Sequence, residues 1–238
     1  MNSAPSSNPV FVAIDTTDLG HARQLASRLR GSVGGLKLGL EFFNAHGPGG
    51  VRPFVEMDLP VFLDLKYHDI PNTVAGACRA AATLGVSIMN VHAQGGAAMM
   101  RAAVEAAKGV SPSTKVIAVT MLTSLGDEDL PSLGLKAPMA DQVLRLASLT
   151  QQCGLDGVVC SAHEITRLRQ ELGPDFLLVV PGIRPVGAEL GDQRRVMGPA
   201  EARDAGANVL IIGRPITGAP DPVQASRDIA QSLGISIA

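Results

Sequence analysis

The sequence predicts a single-domain α/β protein of the (β/α)8 TIM-barrel class, and three observations carry that prediction. Eight short apolar, β-branched segments recur along the 238 residues. Helical stretches alternate with them, so the strands are parallel and covered on both faces. Polar residues collect at the C-terminal ends of several different strands, which is where barrel enzymes carry their sites. Eight strand–helix units at this chain length close a barrel. An open doubly wound sheet is the alternative arrangement.

The opening run Met1-Asn2-Ser3-Ala4-Pro5-Ser6-Ser7-Asn8 has no basic end and no apolar stretch. It is therefore not a secretory signal, and residues 1–8 read as a disordered tail before a barrel domain over 9–238. The first strand, Val10–Ile14, ends in Asp15 and precedes a helix over Leu19–Leu29. The second, Gly35–Leu40, carries Lys37. The third, Val61–Leu65, extends to Lys66 and leads to a helix over Thr73–Leu84. The fourth, Val86–Val91, ends in His92, and Gly96–Ala107 follows as helix. The fifth, Lys115–Val119, ends at Thr120 with Thr123 just beyond, ahead of a helix over Met139–Gln152. The sixth, Gly157–Cys160, precedes a helix over Ala162–Leu172. The seventh, Leu177–Val180, runs into Pro181-Gly182-Ile183-Arg184, with Pro199–Ala205 as its helix. The eighth, Val209–Ile212, runs into Gly213-Arg214, and Val223–Leu233 closes the chain as helix. The two longest strand-to-helix loops follow Thr120 and Val180, and no linker divides the chain.

Composition excludes several function classes. A net charge of −2 and a pI near 6.2 offer no footprint for nucleic acid or an anionic membrane. No apolar run approaches the roughly 20 residues a spanning helix needs. The three cysteines, Cys78, Cys153 and Cys160, show no CxxC pairing and suit a reduced, cytoplasmic setting. Cys78 and Cys160 read as packing residues. The five histidines form no HxH or HExxH pattern, so no dedicated zinc site is expected.

The densest chemistry lies in Phe62-Leu63-Asp64-Leu65-Lys66-Tyr67-His68-Asp69-Ile70. Asp64 and Lys66 are two apart in a strand, so a regular pleat sends both side chains to one face. Charges there are costly unless paired with each other or with a ligand. Lys37 sits in Gly34-Gly35-Leu36-Lys37-Leu38-Gly39, a segment otherwise free of charge, and needs a carboxylate partner. Neighbouring second and third strands supply one, giving the order Lys37–Asp64–Lys66, in which opposite neighbours keep each group charged. A purely structural ion-pair network is the plain reading of the same residues. Read as a site, Asp64 holds Lys66 protonated beside a developing carbanion, which Lys66 stabilises and then protonates. A substrate carboxylate pressed towards Asp64 would be repelled, and loss of CO2 relieves that strain. No thiamine, pyridoxal or Schiff-base context is present.

At the last strand, Gly213-Arg214-Pro215-Ile216 places backbone N–H groups and a guanidinium where this fold binds phosphate. An Arg merely capping a loop is the plain alternative. The stretch Gly187–Arg195, with Gln193, Arg194 and Arg195, has the length of a lid over the same phosphate.

These segments, together with Pro71-Asn72-Thr73, Thr120-Met121-Leu122-Thr123-Ser124, Pro181-Gly182-Ile183-Arg184-Pro185 and Gly191-Asp192-Gln193-Arg194, closely resemble the orotidine 5′-phosphate decarboxylase family over residues 10–233. The resemblance implies conversion of orotidine 5′-monophosphate to UMP and CO2 in de novo pyrimidine biosynthesis. It implies a homodimer with shared active sites and no cofactor or metal. It assigns Lys37, Asp64, Lys66 and Asp69 to a charged tetrad, with Asp69 reaching in from the partner subunit and Lys66 protonating C6 of the pyrimidine. Asp15 would hold a ribose hydroxyl, as would Thr73 from across the interface. Thr123 would contact the ring, Gln193 would bridge base and phosphate, and Arg184, Gly213 and Arg214 would bind phosphate. Pro181 and Ile70 would give apolar contacts, and His92 falls to the interface or the ribose. Two departures stand out, the Ser/Asn/Pro tail and Tyr67 in place of a more usual Phe. Sister enzymes of the same superfamily, sugar-phosphate decarboxylases and hexulose-phosphate synthases, resemble the chain too. They use magnesium and an acidic residue on the second strand, where Lys37 stands. A non-catalytic nucleotide-sensing barrel is the alternative from another class.

Overall fold

Strand propensity and helix caps together lay out a closed barrel in the computed structural model, which describes residues 8–136, 138–185 and 197–237. Eight parallel strands pair in sequence order, and the first closes on the last. They are β1 (Val10–Ile14), β2 (Gly35–Gly39), β3 (Val61–Tyr67), β4 (Ile88–His92), β5 (Lys115–Val119), β6 (Gly157–Val159), β7 (Leu177–Val180) and β8 (Val209–Ile212). The helices are α1 (Leu19–Leu29), α2 (Leu40–Val55), α3 (Pro71–Ala82), α4 (Gly96–Lys108), α5 (Met139–Gln152), α6 (Ile165–Leu172), α7 (Pro199–Asp204), α8 (Arg214–Thr217) and α9 (Pro222–Ser232).

Alternation along each strand builds two cores. Phe11, Ala13, Phe62, Ile88, Ile117, Val179, Val209 and Ile211 fill the barrel interior. Their neighbours, such as Val12, Leu36, Leu63, Met89 and Leu210, point outwards and pack beneath the helices. The helix starts are local: Asp18 accepts from the His21 N–H at 2.9 Å to cap α1, and Asp221 accepts from Val223 N–H at 3.0 Å to cap α9. Pro71 opens α3, where its missing N–H is no loss.

Two helices were not legible in advance. The segment of α2 contains Gly47, Pro48, Gly49, Gly50 and Pro53, residue types that disfavour a helix interior. It is two helical pieces joined at Gly47, whose φ of 58° needs glycine. The segment nevertheless buries Phe42 and Phe54, whose rings meet edge-to-face at 5.3 Å. The other, α8, is a single turn directly after β8, where the sequence places a helix only later.

Asn8, the last residue of the expected tail, is held in place. Asn8 is 7% exposed; its amide donates to Ser32 O at 3.0 Å and its Oδ1 accepts from Val10 N–H at 3.0 Å, which fastens the start of β1. Residues 1–7 lie outside the described residues. Opposite the strand C-termini, Asp156 accepts from Val116 N–H at 2.8 Å and pairs with Lys115 at 3.0 Å and Lys108 at 3.1 Å. Tying the barrel floor together in this way leaves the other end free for chemistry.

Candidate active site

Inward-facing positions at the tops of the first four strands turn from apolar to polar. Above Phe11 and Ala13 comes Asp15; on β2 the inward residue is Lys37; on β3, above Phe62, it is Asp64; on β4, above Ile88, it is Asn90. The side chains link into a chain of alternating sign. Lys37 Nζ lies 3.3 Å from Asp15 Oδ1 and 3.5 Å from Asp64 Oδ2, and Lys66 Nζ lies 2.7 Å from Asp64 Oδ1. Burial alone would raise the Asp64 carboxyl. The attraction of Lys37 and then Lys66, with hydrogen bonds from Lys66 and Asn90, outweighs it and holds the group below its ordinary 3.8. Asp64 is therefore a carboxylate at neutral pH.

The expected meeting of Asp64 and Lys66 is real, but a regular pleat does not produce it. The β3–β4 register runs from Leu63↔Met89 to Tyr67↔Val91, so four steps along β3 match two along β4. Lys66 sits in this bulge with φ 51°, a left-handed conformation that costs a residue with a side chain about 1–2 kcal/mol. The bulge, not two-residue alternation, swings the ammonium onto Asp64.

A cavity of about 500 Å³ opens over this array, within the usual range for small-molecule sites. Its lining brings together Asp15, Lys37, Asp64, Lys66, Thr123, Pro181, Arg184, Gly213 and Arg214, with Met121, Leu122 and Val159 on the apolar side. Asp69, Ile70 and Thr73 are not among its lining residues. They lie on the exposed run His68–Thr73 that follows β3, where Ile70 is 67% exposed and Asp69 Oδ1 accepts from Ile70 N–H at 2.6 Å. Gln193, with the Gly187–Arg195 stretch, lies outside the described residues. Thr120, grouped with Thr123 by its place at the strand end, is fully buried and donates to Val159 O at 3.0 Å, so it joins β5 to β6.

His92 stacks on His68 with ring centroids 5.1 Å apart. Burial first, then the nearby His68 and Lys66 charges, push His92 from 6.5 down to about 4, so the ring is neutral at neutral pH. Its Nδ1 is buried without a hydrogen-bond partner among the described residues. Cys78 is fully buried, and burial raises its thiol to about 12, as packing requires.

Two residues of the site escaped sequence reasoning. Asn90 is fully buried and bonds both Asp64 and Lys66. The signal was present, since it is the one polar residue in Ile88-Met89-Asn90-Val91. Gly39 is the other: a Cβ there would stand 3.1 Å from Lys37 Nζ and 3.3 Å from Asp15 Oδ1, wedging into that ion pair. A larger hollow of about 1250 Å³ opens at the opposite barrel face. Of its charged lining residues Lys115, Asp156 and Asp175, the first two pair with each other, so converging charge, not size, marks the upper cavity as the site.

Known proteins resemble this chain over nearly its whole length. A family model described as "Orotidine 5'-phosphate decarboxylase / HUMPS family" matches residues 8–229. A Rhodospirillum rubrum protein named orotidine 5′-phosphate decarboxylase is 58% identical over 233 residues, covering 95% of this chain and 94% of that one. A Moorella thermoacetica protein of the same name is 52% identical, covering 94% and 91%. The crystal structure of orotidine 5′-phosphate decarboxylase from Lactobacillus acidophilus superposes with a TM-score of 0.83 at 37% identity, covering 95% of this chain and 99% of that one. With the match spanning every strand that contributes to the cavity, the chain belongs to the orotidine 5′-phosphate decarboxylase / HUMPS family.

Proposed function

We propose that this protein converts orotidine 5′-monophosphate to UMP and CO2, a step of pyrimidine biosynthesis, in the cytoplasm and without cofactor. The observation that carries the reading is the unbroken Asp15–Lys37–Asp64–Lys66 chain in the mouth of the barrel. Lys37 also separates two members of one family, since the metal-dependent sister enzymes need an acid on the second strand. A cation beside Asp64 opposes a divalent ion there.

In this reading Arg184 and Arg214, with the backbone at Gly213, hold the phosphate, and Gln193 bridges phosphate and base. Asp15 takes a ribose hydroxyl, while Thr123 and Pro181 meet the ring. The C6–carboxylate bond breaks, CO2 leaves, and the electron pair stays on C6. Lys66 lies where that charge develops, so its ammonium stabilises the transition state more than the substrate. Its Nζ proton then passes to C6, and solvent reprotonates the amine. Asp64 fixes the ammonium at 2.7 Å and Lys37 balances Asp64 from the other side.

A second copy of the chain completes the site in this account. The exposed run His68–Thr73 carries Asp69, Ile70 and Thr73 away from its own cavity, so it is free to reach into that of a second copy. In a symmetric dimer each subunit lends this run to the other.

The test is to follow the orotate chromophore of orotidine 5′-monophosphate with EDTA present. Undiminished consumption supports the reading. Activity that disappears with the chelator and returns with magnesium favours the metal-dependent alternative.

A further inference from the structure

We propose that Asn90 is the positioning residue of the charged array, setting both the bulged backbone of Lys66 and the orientation of the Asp64 carboxylate. The inference rests on the role given above to Lys66. Asn90 Oδ1 accepts from the Lys66 backbone N–H at 2.8 Å, and Asn90 Nδ2 donates to Asp64 Oδ1 at 2.7 Å. The amide orientation is not arbitrary: a backbone N–H can only donate, so the oxygen must face Lys66 and the NH2 must face Asp64. The bulge takes Lys66 out of the regular β3–β4 register, and Asn90 supplies the acceptor its N–H requires. Without it a part-buried donor would lose its partner in a backbone already strained at φ 51°. One side chain thus fixes the base of Lys66 and the carboxylate that receives its tip.

The chemistry demands an amide at this position. A carboxylate could accept from Lys66 but would repel Asp64, and an apolar residue could do neither. A carboxylic acid is the exception, because its O–H can donate to Asp64 while its carbonyl accepts from Lys66. The charged or titratable groups around position 90 are Asp64 and Lys66 on β3, Lys37 on β2 and His92 further along β4. On β5 the residue in register is the apolar Ile117.

The experiment compares wild type, Asn90→Ala and Asn90→Asp for turnover of orotidine 5′-monophosphate and affinity for UMP across pH. Asn90→Ala should lose about 10²-fold in kcat, the scale of an ångström-level misplacement, with UMP affinity within about threefold of wild type. Asn90→Asp should be similarly slow at neutral pH and recover on acidification, as one proton comes to be shared by the new carboxyl and Asp64. Wild type should show no such acid-side gain. Amide exchange reads the geometry without turnover: the Lys66 N–H should exchange at least about tenfold faster in Asn90→Ala, with Leu63 and Val91 unchanged. The proposal is overturned if Asn90→Ala keeps kcat within about threefold, if kcat and UMP affinity fall together, or if the Asn90→Asp profile parallels wild type. A wild type that does not consume the substrate refutes the assigned activity, and the amide exchange still decides whether Asn90 holds the bulge.

Discussion

Replacing Asp64 by Asn removes one negative charge from between two ammonium groups and leaves the shape of the side chain nearly unchanged. Lys66 Nζ lies 2.7 Å and Lys37 Nζ 3.5 Å from the carboxylate oxygens. At an effective dielectric of about 20, each contact carries roughly 5–6 kcal/mol of gross attraction. Desolvating a carboxylate whose side chain is only 12% exposed offsets most of it. Breaking a buried pair costs about 3–5 kcal/mol. The Lys66 side chain is 32% exposed and Lys37 keeps Asp15 at 3.3 Å, which reduces the loss here to about 2–3 kcal/mol. For a chain of this size that lowers Tm by roughly 4–12 °C. The pH dependence has a definite sign. The folded-state value of Asp64 lies below 3.8, so its stabilisation is complete above that value and disappears as pH falls through the lower one. Urea unfolding followed by circular dichroism should show a wide gap between wild type and Asp64→Asn at neutral pH, narrowing as pH drops below 3.8. Equal stability at neutral pH, or a gap that widens on acidification, would refute the ion-pair account of Asp64.

Other perturbations separate binding, assembly and scaffold. Arg214→Ala removes a charge-assisted phosphate contact and should raise KM for phosphorylated ligands about 10- to 100-fold while leaving nucleoside binding unchanged; competition assays with UMP and uridine check this. A mixture of Lys66→Ala and Asp69→Ala subunits, each inactive alone, should recover about a quarter of wild-type activity, because every mixed dimer rebuilds one of its two sites. No recovery would place Asp69 outside the partner's site. At the barrel floor, Arg169 donates to the carbonyls of Gly173, Pro174, Phe176 and Gly206 and to Asn208 Oδ1. Arg169→Ala should cost about 2–4 kcal/mol in chemical unfolding, with turnover per folded molecule unchanged.

The strands were legible because each is a short apolar run with two covered faces, and the site was legible because its charges interrupt those runs. Lys37, Asp64 and Lys66 needed only adjacency of the second and third strands, which the barrel order supplies. The bulge was not legible, since no glycine marks the positive φ of Lys66 and alternation predicts the same pairing for a different reason. Gly and Pro hid α2, whose fixed kink lets breaker residues sit within a helix that still buries Phe42 and Phe54. Asn90 stands out less, because one Asn in an apolar strand reads as a packing tolerance until its two partners are in place. Asp69 shows the converse limit. Its spacing from Lys66 is plain in the sequence, yet its exposed run leaves its own cavity, and the second copy proposed to receive it is not written in local spacing.

If the Lys66 ammonium quenches a carbanion at C6, microscopic reversibility requires the same group to exchange the C6 proton of UMP. UMP incubated with the protein in D2O should lose its C6 proton signal by 1H NMR as deuterium enters, while the C5 proton persists. Lys66→Ala, still binding UMP, should show no exchange above the uncatalysed rate. Undiminished C6 exchange in that variant would contradict the account, because the proton would then reach the ring from some other group.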